Sequence, residues 1–172
     1  QYVESNEYQD DIDQLIFLGT PHLGSPKAYL AWEGGELSTR QESFGFDLSD
    51  AVAAGIFKSA AHRNGFADIF DFVHGLPIPS VSELLPTYEY LIDETSGTVR
   101  PYSDLYPRNA FLENLNAPEN LDRLIHSGVR ITNIVGTIPD STVGGFSVVD
   151  STDLPKWEHG YPNDFYSAIQ YR

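Results

Sequence analysis

The sequence predicts an α/β protein with about two parallel strands and a long, largely helical insertion between them. Two short apolar runs carry the strand prediction: IDQLIFLG at residues 12–19, with acids before it and Gly-Thr-Pro after it, and VRITNIVGT at residues 129–137. Continuous apolar runs of this length are how strands buried on both faces of a parallel sheet read. The second run follows ENLDRLIHSG, a helix-like segment with Gly128 as its C-terminal cap, and helix, glycine turn and buried strand in that order make an α/β unit. Residues 24–118 then form an insertion of different texture, so the chain divides into 1–23, 24–118 and 119–172.

Within the insertion, SDAVAAGIFKSAAHRNG places Val52, Ile56 and Phe57 on one helical face, with Gly65 near its end, and predicts an amphipathic helix. FADIFDFVHGLPIPSVSELLPTYEYLI is crowded with aromatics and leucines and cannot be one regular element, because Pro77, Pro79 and Pro86 interrupt it. NAFLENLN opens on Asn109 as an N-cap and predicts a short helix. In the loop after the first strand, Ser25 is placed as the N-cap of PKAYLAW, with Pro26 at the favoured first helical position.

At 172 residues the chain has room for one domain with a core, and its 41% apolar and 13% aromatic content is that of a folded protein. Charge is the outlier: 25 acidic against 10 basic side chains give a formal net charge of -15. Such a surface repels nucleic-acid phosphates and anionic membranes, so nucleic acid is excluded as a partner. The absence of cysteine removes disulfides, thiolate catalysis and zinc-cysteine sites. No apolar run approaches the roughly 18 residues of a membrane span. The chain has no methionine and opens on acidic sequence, unlike a signal peptide, so it reads as part of a longer, processed or cut polypeptide. Its acidity suits an extracellular or cell-surface setting.

LIFLGTPHLGSPKAYLAWEGG resembles the strand and loop that follow the nucleophile helix in α/β-hydrolase lipases and acyltransferases, in particular the group around lecithin:cholesterol acyltransferase and its bacterial relatives. SVSELLPTYEYL resembles that group's lid segment, and VRITNIVGTIPDSTVGG its return to the sheet. The resemblance implies a partial α/β-hydrolase core: residues 1–23 as the core strand after the nucleophile helix, 24–118 as the cap or lid, and 119–172 as a helix, the return strand and the loop after it. It also implies a serine ester hydrolase or acyltransferase with a Ser-His-Asp triad and no cofactor. The chain contains no G-x-S-x-G elbow, so the nucleophile is expected upstream of Gln1, and the triad is not complete here. The implied partners are a lipid or long acyl ester and the remainder of the hydrolase core, with a second copy of the chain as a further possibility.

Several residues are candidates for chemistry. His22, at the carboxyl end of the first strand, reads either as a rim residue near an acyl site or as a histidine that holds its loop by backbone hydrogen bonds. Ser25 beside it is a nucleophile only if a strained elbow and an oriented base accompany it. Asp140, in the loop after the second strand, is where many α/β hydrolases carry the triad acid, and Pro-Asp-Ser is also an ordinary turn. His159 reads as structural, in a loop over the site. The acidic stretches DDID and DSTDLPKWEH lack the glycine and terminal Glu of a calcium loop, and His62, His74 and His126 lack ligand spacing, so no metal is expected. The cap's apolar residues are divided between its own core and an acyl groove, for which the substrate-binding set is His22, Leu23, Phe72, Leu84, Leu85 and Tyr88. A non-catalytic binding module on the same scaffold is the alternative reading.

Overall fold

A computed structural model describes residues 1–37, 48–76, 79–102, 106–136 and 143–167. It is a mixed α/β structure with two separate sheets. In the first, β1 (Gln14–Leu18) pairs in parallel with β4 (Arg130–Ile134), in a register that sets Gln14 against Arg130 and Leu18 against Ile134. The parallel pair is the one the apolar runs predict, and Gly19 extends its ladder by donating to the Ile134 carbonyl at 2.9 Å. The helix before β4 is α6 (Pro118–His126), followed by Gly128 in a left-handed conformation at φ 80°, as its place after a helix end requires.

Burial of the pair differs from the reading. Both strands were expected to be covered on both faces, yet Ile16, Leu18, Ile131 and Ile134 are all exposed, and so are Leu121 and Ile125 on α6. The hydrophobic core is built instead from the insertion together with Phe146, Val148 and Trp157 of the 119–172 segment. One cluster gathers Tyr29, Leu30, Leu85, Tyr90, Leu91, Tyr106, Phe146, Val148 and Trp157; a second gathers Ala31, Ile69, Val73 and Val81.

Helices predominate among the described residues of the insertion, with two short strands beside them. The insertion contains α1 (Lys27–Tyr29), which widens into a π-helical turn over Leu30–Gly34, then α2 (Leu48–Arg63), α3 (Ile69–Gly75), α4 (Pro79–Ser82) and α5 (Ala110–Leu115). It also contains β2 (Leu91–Asp93) and β3 (Thr98–Val99). These strands join β5 (Val143–Val149) and β6 (Tyr161–Ser167) in a four-stranded sheet of order β3-β2-β5-β6, in which β2 and β5 run parallel and the other pairs antiparallel. The segment read as a loop after the return strand therefore goes back to complete the cap's sheet. Its Gly-rich and Pro-containing strands give little local signal, and the pairing of β5 with β2 and of β6 with β5 decides their state.

Other local predictions divide. Asn109 caps α5 as expected, its side chain accepting from the Leu112 amide at 3.0 Å. Ser25 makes no side-chain cap at α1; its carbonyl accepts from the Ala28 amide at 3.0 Å. The face assigned to α2 holds in part: Phe57 packs against the second core cluster, with Ala61 fully buried, whereas Val52 and Ile56 are exposed. The segment around Pro79 and Pro86 is broken as expected, and Pro77 lies outside the described residues. No helix among the described residues is long and apolar enough to cross a membrane.

Candidate functional site

The chain leaves the parallel pair at the carboxyl end of β1, where α/β sheets place their ligand crevices. Gly19 makes the exit turn at φ 57°, and the loop tightens through His22 N–H to the Thr20 carbonyl at 3.0 Å and Gly24 N–H to the Pro21 carbonyl at 2.9 Å. His22 sets its ring edge-on to Phe17 of β1, with centroids 4.8 Å apart. Its carbonyl accepts from Asn116 Nδ2 at 2.8 Å.

This loop is tied to the strap at residues 84–87. Ser25 donates its amide to the Leu84 carbonyl at 2.7 Å, and Thr87 donates its amide to the Leu23 carbonyl at 3.0 Å. Between these bonds Gly24 has φ 90°, and a Cβ there would overlap the Leu85 carbonyl oxygen and lie 2.6 Å from the Cα of Pro86. Only glycine fits so close an approach of two backbones. Helix α5 brackets the arrangement: Asn109 at its start donates Nδ2 to the Leu85 carbonyl at 2.6 Å, and Asn116 at its end holds His22.

The predicted substrate-binding set is thereby split. His22, Leu23 and Leu84 come together on the surface, with Leu18, Ile134 and Val135 exposed at the same end of the pair. Leu85 is adjacent in sequence but fully buried in the cap core. Tyr88 is half-buried, packs edge-on to Tyr90 at 6.2 Å, and has its phenol pKa raised by burial. Phe72 is core rather than groove: it is 8% exposed on α3 and packs against Phe66 at 5.7 Å. Asp140 lies outside the described residues. At Ser25 the amide is engaged, and the ring of His22 faces Phe17 rather than the serine hydroxyl.

A second polar cluster lies within the cap. Glu33, on the π-helical turn, accepts from the His159 amide at Oε2 and lies against His159 Nδ1 at Oε1, both at 3.0 Å. Because a carboxylate only accepts, Nδ1 carries the proton. The Glu33 carbonyl accepts from the Trp157 amide at 2.9 Å, and the His159 carbonyl accepts from Arg100 Nη1 at 2.8 Å. Gly34 permits this seam, since a Cβ there would enter the Trp157 ring. His159 is structural, as expected, but it anchors the core instead of forming a loop over it. The sequence offers no spacing that links it to Glu33, 126 residues away. Among the described residues no hydroxyl is hydrogen-bonded to His159, so the pair has no nucleophile to activate.

Two hollows lie elsewhere. One of about 400 Å³ is bordered by Glu36, Asp150, Lys156, Trp157 and Tyr161, and an open one of about 600 Å³ by Phe66, Asp71 and His74. Neither is lined by His22, Leu23 or Leu84. Lys156 on the first is held by Asp68 at 2.6 Å, and this hydrogen bond lowers the Asp68 carboxyl pKa. Among the described residues no group of three His, Asp or Glu side chains is placed to hold a metal ion. The end of β1 thus sets exposed leucines beside a histidine, with the amides of Gly19, His22, Gly24, Ser25 and Thr87 all engaged by protein carbonyls. Compared with known proteins, the chain matches no family model, no curated sequence and no solved structure.

Proposed function

We propose that this chain is the cap, with two neighbouring core strands, of a serine ester hydrolase or acyltransferase of the α/β-hydrolase superfamily, similar to the lecithin:cholesterol acyltransferase group. The observation that carries the reading is the parallel pair β1 and β4, whose apolar side chains are exposed on a chain that has a core elsewhere. A two-stranded parallel sheet with open faces and edges is not a stable end product, and further strands and helices would complete it. The cap's origin at the carboxyl end of β1 and the chain's return at β4 suit an insertion placed over an acyl site. In this reading Leu23 and Leu84 contact the acyl chain, each buried methylene contributing about 0.8 kcal/mol, and His22 lines the rim. The nucleophile, acid and base of the triad would be supplied by the completing core.

Labelling with a fluorophosphonate tests this. The complete gene product that contains this sequence should take up one label on a serine outside these 172 residues, and the 172-residue chain alone should take up none. A label on Ser25 would overturn the placement of the triad, and no label on the complete product would favour a non-catalytic binding module.

A further inference from the structure

We propose that Asn64 and Gly65 form a self-modifying site: Asn64 loses its side-chain amide to attack by the Gly65 backbone nitrogen, and the product dismantles the C-terminal cap of α2. The proposal stands apart from the acyl-ester reading and from any triad.

Asn64 is the one asparagine of the chain that precedes a glycine; every other is followed by a residue with a side chain. Both residues are exposed, immediately after α2 ends at Arg63. Gly65 takes φ 82°, the left-handed conformation that glycine supplies at a helix end, and a Cβ built there would meet no described atom within 4 Å. Neither a side chain on the following residue nor a described neighbour obstructs closure of a five-membered ring between Asn64 Cγ and the Gly65 nitrogen.

The same two residues close the helix. Gly65 donates its amide to the His62 carbonyl at 3.1 Å and Phe66 donates its amide to the Ala61 carbonyl at 3.0 Å, the paired bonds of a Schellman cap. Asn64 Nδ2 donates to the Ala60 carbonyl at 2.8 Å. Beyond the cap, the Phe66 ring packs against Phe72 with centroids 5.7 Å apart, and it covers Gly75 so closely that a Cβ there would enter the ring. The groups that react are thus the groups that cap. While their bonds hold, the Gly65 N–H is occupied and the carboxamide is turned to Ala60. Helix ends open locally far more often than a whole fold does, so ring closure waits on fraying of the last turn.

The chemistry needs only water and hydroxide. Hydroxide takes the Gly65 amide proton, the freed electron pair on nitrogen forms a bond to Asn64 Cγ, and the Cγ–Nδ2 bond breaks as ammonia departs with a proton from water. The nitrogen of the resulting cyclic imide carries no hydrogen, so its bond to His62 is lost. Water then opens the ring. Cleavage on the Cγ side leaves aspartate, whose carboxylate meets the Ala60 carbonyl acceptor against acceptor, at the negative end of the helix dipole. Cleavage at the main-chain carbonyl leaves isoaspartate, which routes the chain through Cγ and adds a methylene to the backbone. The Gly65 and Phe66 amides are then displaced together from His62 and Ala61.

The test incubates the complete gene product in mildly alkaline buffer made with water enriched in heavy oxygen, and maps its peptides by mass. Residue 64 should exchange its amide for a carboxyl with one heavy oxygen, as a mixture of isoaspartate and aspartate, ahead of every other asparagine of this sequence. Urea that releases the cap's hydrogen bonds should speed the conversion by about tenfold or more. In the isoaspartate form the amides of residues 61–66 should exchange with solvent about tenfold faster or more than in the unmodified protein. Asn64→Asp, which adds the charge and keeps the normal backbone, should lie between the two. Conversion at Asn64 no faster than at the other asparagines would overturn the site. Equal rates in urea and in buffer would overturn control by the cap, and conversion that leaves exchange over residues 61–66 unchanged would overturn its dismantling.

Discussion

Glu33 and His159 form a buried clamp: one carboxylate, 5% exposed, accepts the backbone amide of His159 through one oxygen and faces its ring Nδ1 through the other, at 3.0 Å each. The clamp fastens the π-helical turn of the insertion to the connection between β5 and β6. Tyr29 adds a bond in the same seam, its hydroxyl donating to the Gly160 carbonyl at 2.6 Å. A carboxylate taken out of water costs free energy unless its lone pairs are matched, and here both oxygens have partners.

Glu33→Ala should therefore lower stability by about 3 kcal/mol, since it strips two hydrogen-bonded groups of their acceptor and leaves a cavity. Glu33→Gln, which keeps one acceptor oxygen, should lose less. Urea unfolding of both variants measures the difference, and equal losses would show that packing rather than the paired acceptor matters.

Glycines at two positions should respond in opposite directions. Gly24→Ala forces a side chain into a φ of 90° and into the Leu85 carbonyl, so it should cost about 1–3 kcal/mol and loosen the loop from the strap. Gly55, inside α2 with open space around it, should accept alanine with a gain of about 0.5–1 kcal/mol. Thermal midpoints of the two variants give the signs directly.

Among the described residues the buried hydroxyl of Tyr90 has no hydrogen-bond partner, whereas that of Tyr106 donates to the Arg100 carbonyl at 2.6 Å and accepts from the Leu91 amide at 3.1 Å. Tyr90→Phe should be neutral or stabilising by about 1 kcal/mol, and Tyr106→Phe destabilising by about 1–3 kcal/mol. Calorimetry on the two variants would contradict this if their order were reversed.

Alkaline unfolding should be coupled to the cap's tyrosines. Burial raises the phenol pKa of Tyr29, Tyr88, Tyr90, Tyr102 and Tyr106, and for Tyr102, with Glu113 as a further cause, it rises to about 12. A raised folded-state value favours the protonated phenol in the fold. The associated stability is whole below the ordinary value near 10 and is lost as pH climbs through the folded values. An ultraviolet titration should show these phenols ionising late and together with loss of near-ultraviolet dichroism. Ionisation of the whole set near pH 10 with the fold intact would contradict it.

What the sequence makes legible is local. The apolar runs of β1 and β4, the Asn109 cap and the Gly128 turn each depend on a few adjacent residues, and each is where the sequence places it. The cap's sheet is not legible, because β2 has three residues and its long-range neighbour is β5, some fifty residues on, to which β6 then adds, and the glycines, proline and asparagine of β5 and β6 argue against strands. The groove set shows the same limit. Leu84 and Leu85 are adjacent and equally apolar, and only the bonds from Ser25 and Asn109 to the strap turn one outward and the other into the core. Helix α2 shows it too: of the face Val52, Ile56 and Phe57, the phenylalanine packs on the core cluster while the two branched residues stay exposed.

Hydrogen exchange on the complete gene product tests most directly whether β1 and β4 belong to a larger sheet. If they do, the amides of residues 14–18 and 130–134 should be among the slowest to exchange, slower than those of the cap strand β2, because neighbouring strands and helices cover a pair that is exposed here. Exchange at those amides within seconds, with the cap protected, would show that the pair stays open in the whole protein and would contradict the account.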